Sequence, residues 1–539
     1  LASNTETPTL VTVTIDGIEI QVAEGTRILD AAAQVGVDVL HYCYHPGLSA
    51  PAQCRMCLVE VEKAPKLMPA CVATVVDGNV IHTQSESALK ARKGNLEFYL
   101  INHPLDCPVC DQSGECKLQD YVAEEGRAMG RLQEPKRVFG RDDFGGDVLY
   151  EGDRCIMCTR CVRFMREVAQ DERLAVVQRG HRSVIDTFYD EGVEGNIWAD
   201  NTIDICPVGA LVSKDFLHKA RAWDLDRTPS ICPNCSMGCN IQLQVFDNQV
   251  MRLKPRPNDE VNGHWMCDYG RLNYQWINRT GRIEAPLVRE SERLVSTSWS
   301  DALVKLAAAA KSADGGVRAV ASPFASNEDL GALRRLADEL GGGDGIYRCA
   351  RGEEIVLPGF PQLALREDRA ANVHGADLFG FTRAGDEEAN GGLDDAAAHT
   401  GVLLVLGDEL DDAPDDFGSA ASLFIYVGHV AGAAARNAHF ILPTTTFAEM
   451  EGSFTNVNHR VQRFWPAVQV PGMARPAWQV LGVLLAGISG ADAPATPEHA
   501  FSLLGDLRPE FAGLNWSDLG VQGLPLRKVE ALADATDNG

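Results

Sequence analysis

Apolar and polar positions change their rhythm along the chain, and the changes mark out its elements. Val11-Thr-Val-Thr-Ile and Ile18-Glu-Ile-Gln-Val alternate around Asp16-Gly17, a pair suited to a tight two-residue turn, so the chain is predicted to open on a strand hairpin. A short helix is expected from about Thr26 to Gln34, closed by Gly36, and a strand at Leu58–Glu62. Residues 87–102 read as helix, 126–150 as a connection rich in charge, Gly and Phe, and Cys158 to Val168 as a further helix. Ile241–Phe246 and Val250–Leu253 form a second alternating pair. Beyond about residue 285 the texture shifts to Ala, Gly, Leu and Asp. There Val317–Ala321, Val402–Leu406 and Leu423–Val427 alternate with helical stretches, which predicts an α/β domain with a largely parallel sheet. The clearest helix starts at Ser326, whose hydroxyl can cap it, with Asp329 three residues on. Leu330, Leu333, Leu336 and Leu340 form its apolar face and Gly341 ends it.

Composition narrows the class. The chain has 539 residues, 45% hydrophobic and 23% charged, enough for roughly three to five globular domains. No run approaches the ~18–20 apolar residues that span a bilayer, and the first ten residues show no secretory signal, so any membrane link is expected to come through a partner. A formal net charge of −26 argues against nucleic acid, whose phosphates it would repel, and favours partners with basic faces. No internal repeat, P-loop or G-x-G-x-x-G fingerprint is present, and the acidic run from Asp408 to Asp416 reads as a solvated loop rather than a cation site.

The cysteines carry the chemistry. Fifteen of the sixteen lie in the first 267 residues, and with one histidine they sort into four sets. These are Cys43, Cys54, Cys57, Cys71; His103, Cys107, Cys110, Cys116; Cys155, Cys158, Cys161, Cys206; and Cys232, Cys235, Cys239, Cys267. Disulfide-dense proteins are usually small and lack C-x2-C runs, so thiolates bound to metal in a reducing compartment fit better. Thiolates are soft and anionic enough to hold iron bridged by sulfide. The first set, with 10, 2 and 13 residues between ligands, follows a hairpin, a helix and a cysteine loop in the order of a β-grasp ferredoxin and suits a [2Fe–2S] cluster. The third is C-x2-C-x2-C with a remote Cys206-Pro207, the bacterial ferredoxin form, and suits [4Fe–4S]. The fourth, C-x2-C-x3-C-x27-C, also suits [4Fe–4S]. In the second, three cysteines lack a fourth nearby, and His103 stands where it can complete the set, a neutral donor that favours reduction. Zinc is the structural alternative at these spacings; iron analysis and visible absorption bleached by dithionite separate the two.

These stretches resemble the large iron–sulfur subunit of respiratory complex I (NADH:quinone oxidoreductase). The resemblance is carried by His41-Tyr-Cys-Tyr-His-Pro, Gln53-Cys-Arg-Met-Cys, Asn102-His-Pro-Leu-Asp-Cys-Pro-Val-Cys-Asp-Gln-Ser-Gly-Glu-Cys, Arg154-Cys-Ile-Met-Cys-Thr-Arg-Cys-Val-Arg-Phe and Asp204-Ile-Cys-Pro-Val-Gly-Ala-Leu. It covers about residues 10–285 and implies His103 as a cluster ligand. Cys232-Pro-Asn-Cys-Ser-Met-Gly-Cys looks like the entry module of molybdopterin oxidoreductases, and in complex I such an extra cluster lies off the main electron route. The last half resembles a cofactor-less molybdopterin-type domain, best over Leu442–Asn456 and Arg460-Val-Gln-Arg.

The implied architecture is a multidomain α/β and α+β chain. It comprises a β-grasp [2Fe–2S] domain at 8–95, a histidine/cysteine [4Fe–4S] domain at 96–150 and a ferredoxin-like [4Fe–4S] domain at 151–227, then a molybdopterin-oxidoreductase-type [4Fe–4S] module at 228–285 and a shortened, degenerate α/β domain at 286–539. No molybdopterin is expected: the last half is short, Tyr269 stands where active relatives often carry lysine, and Cys349 is the only downstream candidate thiol and reads as an incidental cysteine. The implied function is an electron relay between an FMN- and NADH-binding partner and quinone-side iron–sulfur subunits. It would sit on the cytoplasmic face of a bacterial inner membrane, with no NADH or quinone site of its own. The alternatives are a formate dehydrogenase catalytic subunit, the diaphorase iron–sulfur subunit of an NAD-linked hydrogenase, and a redox-inert scaffold whose clusters only hold domains together. Molybdenum content, the presence of residues 230–539 and reduction of the clusters by NADH discriminate among them.

Overall fold

The computed structural model of the chain describes residues 9–188, 190–343, 345–385, 393–407 and 409–527. They fall into two compact units, one running to Leu225 and including Leu357–Phe360, the other made of Asp226–Val356 and the residues from Pro361 onward.

In the first unit β1 (Leu10–Ile15) and β2 (Ile18–Ala23) pair antiparallel with Ile15 opposite Ile18. Asp16 and Gly17 both take positive φ, 47° and 86°, the backbone that a two-residue turn between right-twisted strands demands. Val11, Val13 and Ile15 face a core completed by Ile28, Leu29, Ala31 and Ala32 of α1 (Ile28–Gln34). The helix starts two residues later than the sequence pattern predicts, because the Thr26 hydroxyl turns back to the Ala23 carbonyl, 2.6 Å away. β3 (Leu58–Val61), β4 (Met68–Pro69) and β5 (Val80–His82) complete a sheet ordered β2-β1-β5-β3-β4, with β1 and β5 parallel. α2 (Glu86–Leu100), capped by the Ser85 hydroxyl, and α3 (Lys117–Glu125) follow.

The segment 126–150 is more than a connection. It contains β6 (Arg141–Asp143) and the start of β7 (Val148–Glu151). After it come α4 (Arg160–Glu167), the hairpin β8 (Leu174–Val177) and β9 (Val184–Thr187), α5 (Asn201–Ile205) and β10 (Leu211–Ser213), which joins β7 and β6 in one sheet. α4 begins at Arg160 rather than Cys158, since Met157 and Thr159 sit in the left-handed region at φ 54° and 60°, where an α-helix does not continue.

The second unit opens on a three-stranded antiparallel sheet, β11 (Asp226–Ile231), β12 (Asn240–Phe246) and β13 (Gln249–Pro255), so the predicted hairpin gains a third strand. α6 (Asp268–Leu272) follows Cys267. The chain then runs through β14 (Leu287–Glu290), β15 (Arg293–Ser296), α7 (Trp299–Ser312), β16 (Val317–Ala321), α8 (Asn327–Glu339) and β17 (Gly345–Tyr347). Next are β18 (Ile355–Val356), β19 (Ala364–Leu365), α9 (Val373–Leu378), β20 (Phe381–Arg383), α10 (Leu393–Ala397), β21 (Val402–Leu406), β22 (Leu423–Gly428) and β23 (Phe440–Pro443). β24 (Gly452–Thr455), β25 (Arg460–Phe464) and α11 (Ala477–Ser489) come last among the elements used below.

Eight strands form one sheet in the order β15-β14-β23-β22-β21-β16-β17-β20. The six from β23 to β20 are parallel, while β14 and β15 are antiparallel at one edge. Both faces are covered. Ala319, Leu404, Ile425 and Leu442 pack into one apolar cluster, and Val320, Leu403, Phe424 and Ile441 into another, which is why these strands read as continuous apolar runs. α8 carries the predicted capping box, with the Ser326 hydroxyl accepting from Asp329 N–H and the Asp329 carboxylate accepting from Ser326 N–H. Asp408 lies outside the described residues; of the rest of its acidic run, Asp412 pairs with Arg348 at 2.6 Å and Asp415 with Arg436.

Candidate metal centres

All sixteen cysteines are free thiols. In the first set Cys43 Sγ lies within hydrogen-bonding reach of the sulfurs of Cys54 and Cys71, Cys57 Sγ lies within reach of Cys71, and Gln53 and Cys54 turn backbone N–H groups toward Cys43. Thiols of Cys54 and Cys71 donating to Cys43 hold its pKa well below the ordinary value, and donation pushes their own up. Ala52 and Arg55, at φ 53° and 56°, bend the loop around the site.

The third set walls a cavity together with Tyr150, Ile156, Ile185 and Val208. Met157 N–H points at Cys155 Sγ, 3.4 Å away. Burial pushes the thiols of Cys155, Cys158 and Cys206 up to about 11 and raises that of Cys161 well above its ordinary value. Four such thiols become thiolates only against positive charge, so the donor set fits a cationic centre in that cavity. Part of the compensation comes from the chain: Arg160 and Arg163 are 5% and 4% exposed and, among the described residues, form no ion pair. Arg160 donates to the carbonyls of Ile205, at 3.0 Å, and Tyr44. Arg163 donates to the carbonyls of Cys43, Ser49 and, at 3.4 Å, Cys158, so one guanidinium touches the main chain at a cysteine of the first set and one of the third. Gln53 adds bonds of 2.9 Å to Met157 O and Thr159 Oγ1.

In the second set Cys110 and Cys116 are buried and Cys107 exposed. His103, Cys107 and Cys116 line one groove beside α3, and the three thiols lie within electrostatic reach of each other. His103 is held down to about 4 by burial and by the charges of Lys136 and Arg154, and its Nδ1 is buried without a hydrogen-bond partner. A neutral imidazole with an orphaned nitrogen fits a metal ligand. Cys110 packs against the loop after Cys206: a methyl group at Gly209 would collide with Cys110 Sγ. Lys117 N–H also bonds Pro207 O at 3.1 Å, and Arg154 reaches Asp106 at 3.2 Å. Among the described residues no three His, Cys, Asp or Glu side chains converge on a site for a single metal ion.

The fourth set is buried in the second unit. Burial pushes Cys232 up to about 12 and raises the thiols of Cys239 and Cys267 well above their ordinary value. Gln462 of β25 donates to Gly238 O at 3.0 Å, Asn456 to Met237 O at 3.3 Å, and Asn234 to the carbonyls of Gly270 and Asn273 at 3.0 Å. Gly270 N–H points at Cys267 Sγ at 3.3 Å. Tyr269 stands beside the set with Arg369 stacked on its ring at 5.3 Å.

Five family models match the chain. They are a 2Fe-2S iron-sulfur cluster binding domain over residues 9–86, an NADH-ubiquinone oxidoreductase-G iron-sulfur binding region over 92–130 and the ferredoxin-like domain of NADH-quinone oxidoreductase subunit 3 over 145–212. A molybdopterin oxidoreductase Fe4S4 domain matches 225–279 and a molybdopterin oxidoreductase domain 380–486. The NADH-quinone oxidoreductase G subunit of Rickettsia felis is 40% identical over 334 residues, 62% of this chain and 49% of the relative. The mitochondrial NADH-ubiquinone oxidoreductase 78 kDa subunit of Candida albicans is 40% identical over 336 residues, 61% and 46% of the two chains. The 75 kDa subunit of Reclinomonas americana is 43% identical over 293 residues, 54% and 42%. The chain is a homologue of the large iron–sulfur subunit of NADH:quinone oxidoreductase. It spans about half the length of the curated relatives it matches. A chain of an NAD+-reducing [NiFe]-hydrogenase, solved in the H2-reduced state, aligns with TM-score 0.36 and 27% identity over 39% of this chain and 90% of its own, too loosely to carry an argument.

In this homologue of the large subunit, several residues around the sites escape a reading of spacing alone. Arg154, Arg160 and Arg163 stand inside the motif that carries the resemblance, yet a C-x2-C-x2-C run says nothing of where their guanidiniums go. Their signal was three arginines in ten residues of a segment that also supplies buried cysteines. Gly209 gave none, because the sulfur that excludes a side chain there belongs to a residue 99 positions earlier.

Proposed function

We propose that this chain is the electron-relaying iron–sulfur subunit of an NADH:quinone oxidoreductase. It takes electrons from an FMN- and NADH-binding partner and passes them to quinone-side iron–sulfur subunits on the cytoplasmic face of a bacterial inner membrane. Cys43, Cys54, Cys57 and Cys71 hold a [2Fe–2S] cluster, and the three remaining sets hold [4Fe–4S] clusters, one of them through His103. Bound clusters supply one-electron transfer. The domain limits at residues 95, 150, 227 and 285 belong to the same reading. Among the described residues no helix is long and apolar enough to cross a membrane.

The observation that carries the reading is the stitching of three ligand sets within one unit. Arg163 joins Cys43 to Cys158 through their carbonyls, and Cys110 Sγ rests on Gly209, three residues from Cys206. The protein's own work is to hold these sets side by side, exclude water from most of their thiols and place uncompensated guanidinium charge beside them. His103, neutral at working pH, spares its site one negative charge.

A molybdenum-bearing pterin is left out of the proposal. The crevice that would take it is about 310 Å3, Tyr269 lines its cluster side, and Cys349 does not line it.

The test is EPR of the NADH-reduced complex with iron analysis. About fourteen iron atoms per chain are expected. His103→Cys should keep its cluster but lower the reduction potential, and Cys235→Ser should weaken the complex more than NADH-to-quinone turnover. A colourless protein with stoichiometric zinc, or clusters that NADH never reduces, would end the reading.

A further inference from the structure

We propose that Arg221 raises the reduction potential of the cluster held by His103, Cys107, Cys110 and Cys116, with Trp223 keeping water from its charge. The inference rests on the electron-relay reading and names a residue that tunes it. Arg221 belongs to none of the four sets and stands 111 positions from Cys110. Its guanidinium donates to the carbonyl of Cys110 at 3.0 Å and to that of Pro108. Both carbonyls belong to the short turn from Cys107 to Cys110, so the cation is fixed to the main chain between two ligands of the second set. The first and third sets have Arg160 and Arg163 on their loops, and Arg221 is the counterpart for the second.

The charges around this turn explain why the residue matters. An electron entering a cluster adds negative charge, so a cation close by favours the reduced state unless a counter-charge or water screens it. Arg154 is already matched, 3.2 Å from Asp106 and 3.8 Å from Glu151. Lys136 is exposed and donates to the carbonyls of Leu100 and Ile101, so water screens it. Asp111, next to Cys110 and only 6% exposed, puts a carboxylate on the same loop, accepting from His218 N–H at 3.1 Å with His218 Nδ1 3.2 Å from its other oxygen. That carboxylate opposes reduction, and Arg221, half-buried and without an ion pair among the described residues, offsets it.

Trp223 closes the arrangement. Its ring centroid lies 5.8 Å from the Arg221 guanidinium carbon, within reach of a cation–π contact. The same ring packs on Gly114, where an added Cβ would stand 2.6 Å from Trp223 Cε3. Gly114 also takes φ 90°, so a side chain there would be strained as well as crowded. Trp223 is 63% exposed, one side to water and the other to the loop between Cys110 and Cys116, where it displaces solvent from the guanidinium. A mechanical clamp would need the hydrogen bonds of Arg221 but not its charge, and the two roles separate on that point.

The experiment is an anaerobic redox titration of the full chain with reconstituted clusters, followed by EPR, the signal of the second set being assigned by its loss in Cys116→Ala. Arg221→Gln keeps an amide donor and removes the charge. At a fixed potential it should lower the reduced-to-oxidised ratio of that cluster threefold or more, with the first and third sets unmoved and iron content unchanged. Arg221→Lys should recover most of the wild-type ratio, and Trp223→Leu should shift it in the direction of Arg221→Gln by less. No shift in Arg221→Gln overturns the proposal. So does an equal shift in Arg221→Lys, which would make the bonds rather than the charge responsible. Where Arg221→Gln fails to retain its cluster, Trp223→Leu decides, and an unmoved ratio there overturns the proposal. A wild-type second set without a [4Fe–4S] signal overturns the relay reading together with this one, whereas a signal that ignores both variants overturns this one alone.

Discussion

The ligand sets of the two units are held by different chemistry. In the first unit buried guanidiniums join the Gln53 amide in fixing the cysteine loops: Arg160 and Arg163 bond to carbonyls of loops belonging to more than one set. In the second unit the loop from Cys232 to Cys239 is fixed by the neutral amides of Asn456 and Gln462, while Asn234 ties it to the chain after Cys267. A buried guanidinium is expensive unless its hydrogen bonds are met and negative charge is near. The first arrangement therefore makes its sets depend on one another, and the second leaves the fourth set energetically on its own. Donors shared between the loops of two sets couple those sets, whereas donors confined to one set leave it isolated.

The largest expected break of this contrast is Arg163→Leu. Three carbonyls lose their donor at once, and on the order of 3 kcal/mol of stability should go with them. Iron analysis and EPR should show the first and third clusters lost together; loss of only one would contradict the coupling. Gly209→Ala should cost about 1–3 kcal/mol through overpacking against Cys110 Sγ and should remove the EPR signal of the His103 set before that of the first set. In the second unit Gln462→Ala should cost about 1–2 kcal/mol and release iron from the fourth set alone, with NADH-reduced signals of the first unit unchanged.

The smallest effect concerns pH. Burial raises Glu328, whose carboxylate accepts from Ser453 N–H and hydroxyl, to about 7. The folded state thus holds a proton that the unfolded chain releases near 4.3. Its stabilisation is complete below that value and disappears as pH rises through about 7. Melting temperature should fall between pH 5 and 8, and Glu328→Gln should flatten the fall; an unchanged slope would remove Glu328 as its source.

Much of the architecture was readable beforehand, and the misses have local causes. The Asp16-Gly17 turn and the Ser326–Asp329 capping box depend on residues a few positions apart, so the pattern carries them. The start of α4 was misplaced because C-x2-C-x2-C looks helical by spacing, although Met157 and Thr159 adopt left-handed backbone around the site. β11 and β6 went unseen as strands with little apolar alternation, since they take their place from partners already in the sheet. The crevice was invisible for a deeper reason. Its lining includes residues from the loops after β16, β17, β21, β22 and β23, strands whose neighbours are set by crossover connections, and no motif announces a reversal of strand order.

Cysteine identity and spacing by themselves determined the grouping of the cysteines into four candidate ligand sets and the kind of metal centre each would suit, because ligand chemistry is short-ranged along the chain. Only the tertiary structure decided which sets share a unit, that buried arginines bond to the loops of the first and third, and that a crevice opens beside the ends of the parallel strands. Those outcomes depend on contacts between residues far apart in sequence, where burial and unmet hydrogen bonds, not local pattern, set the energy.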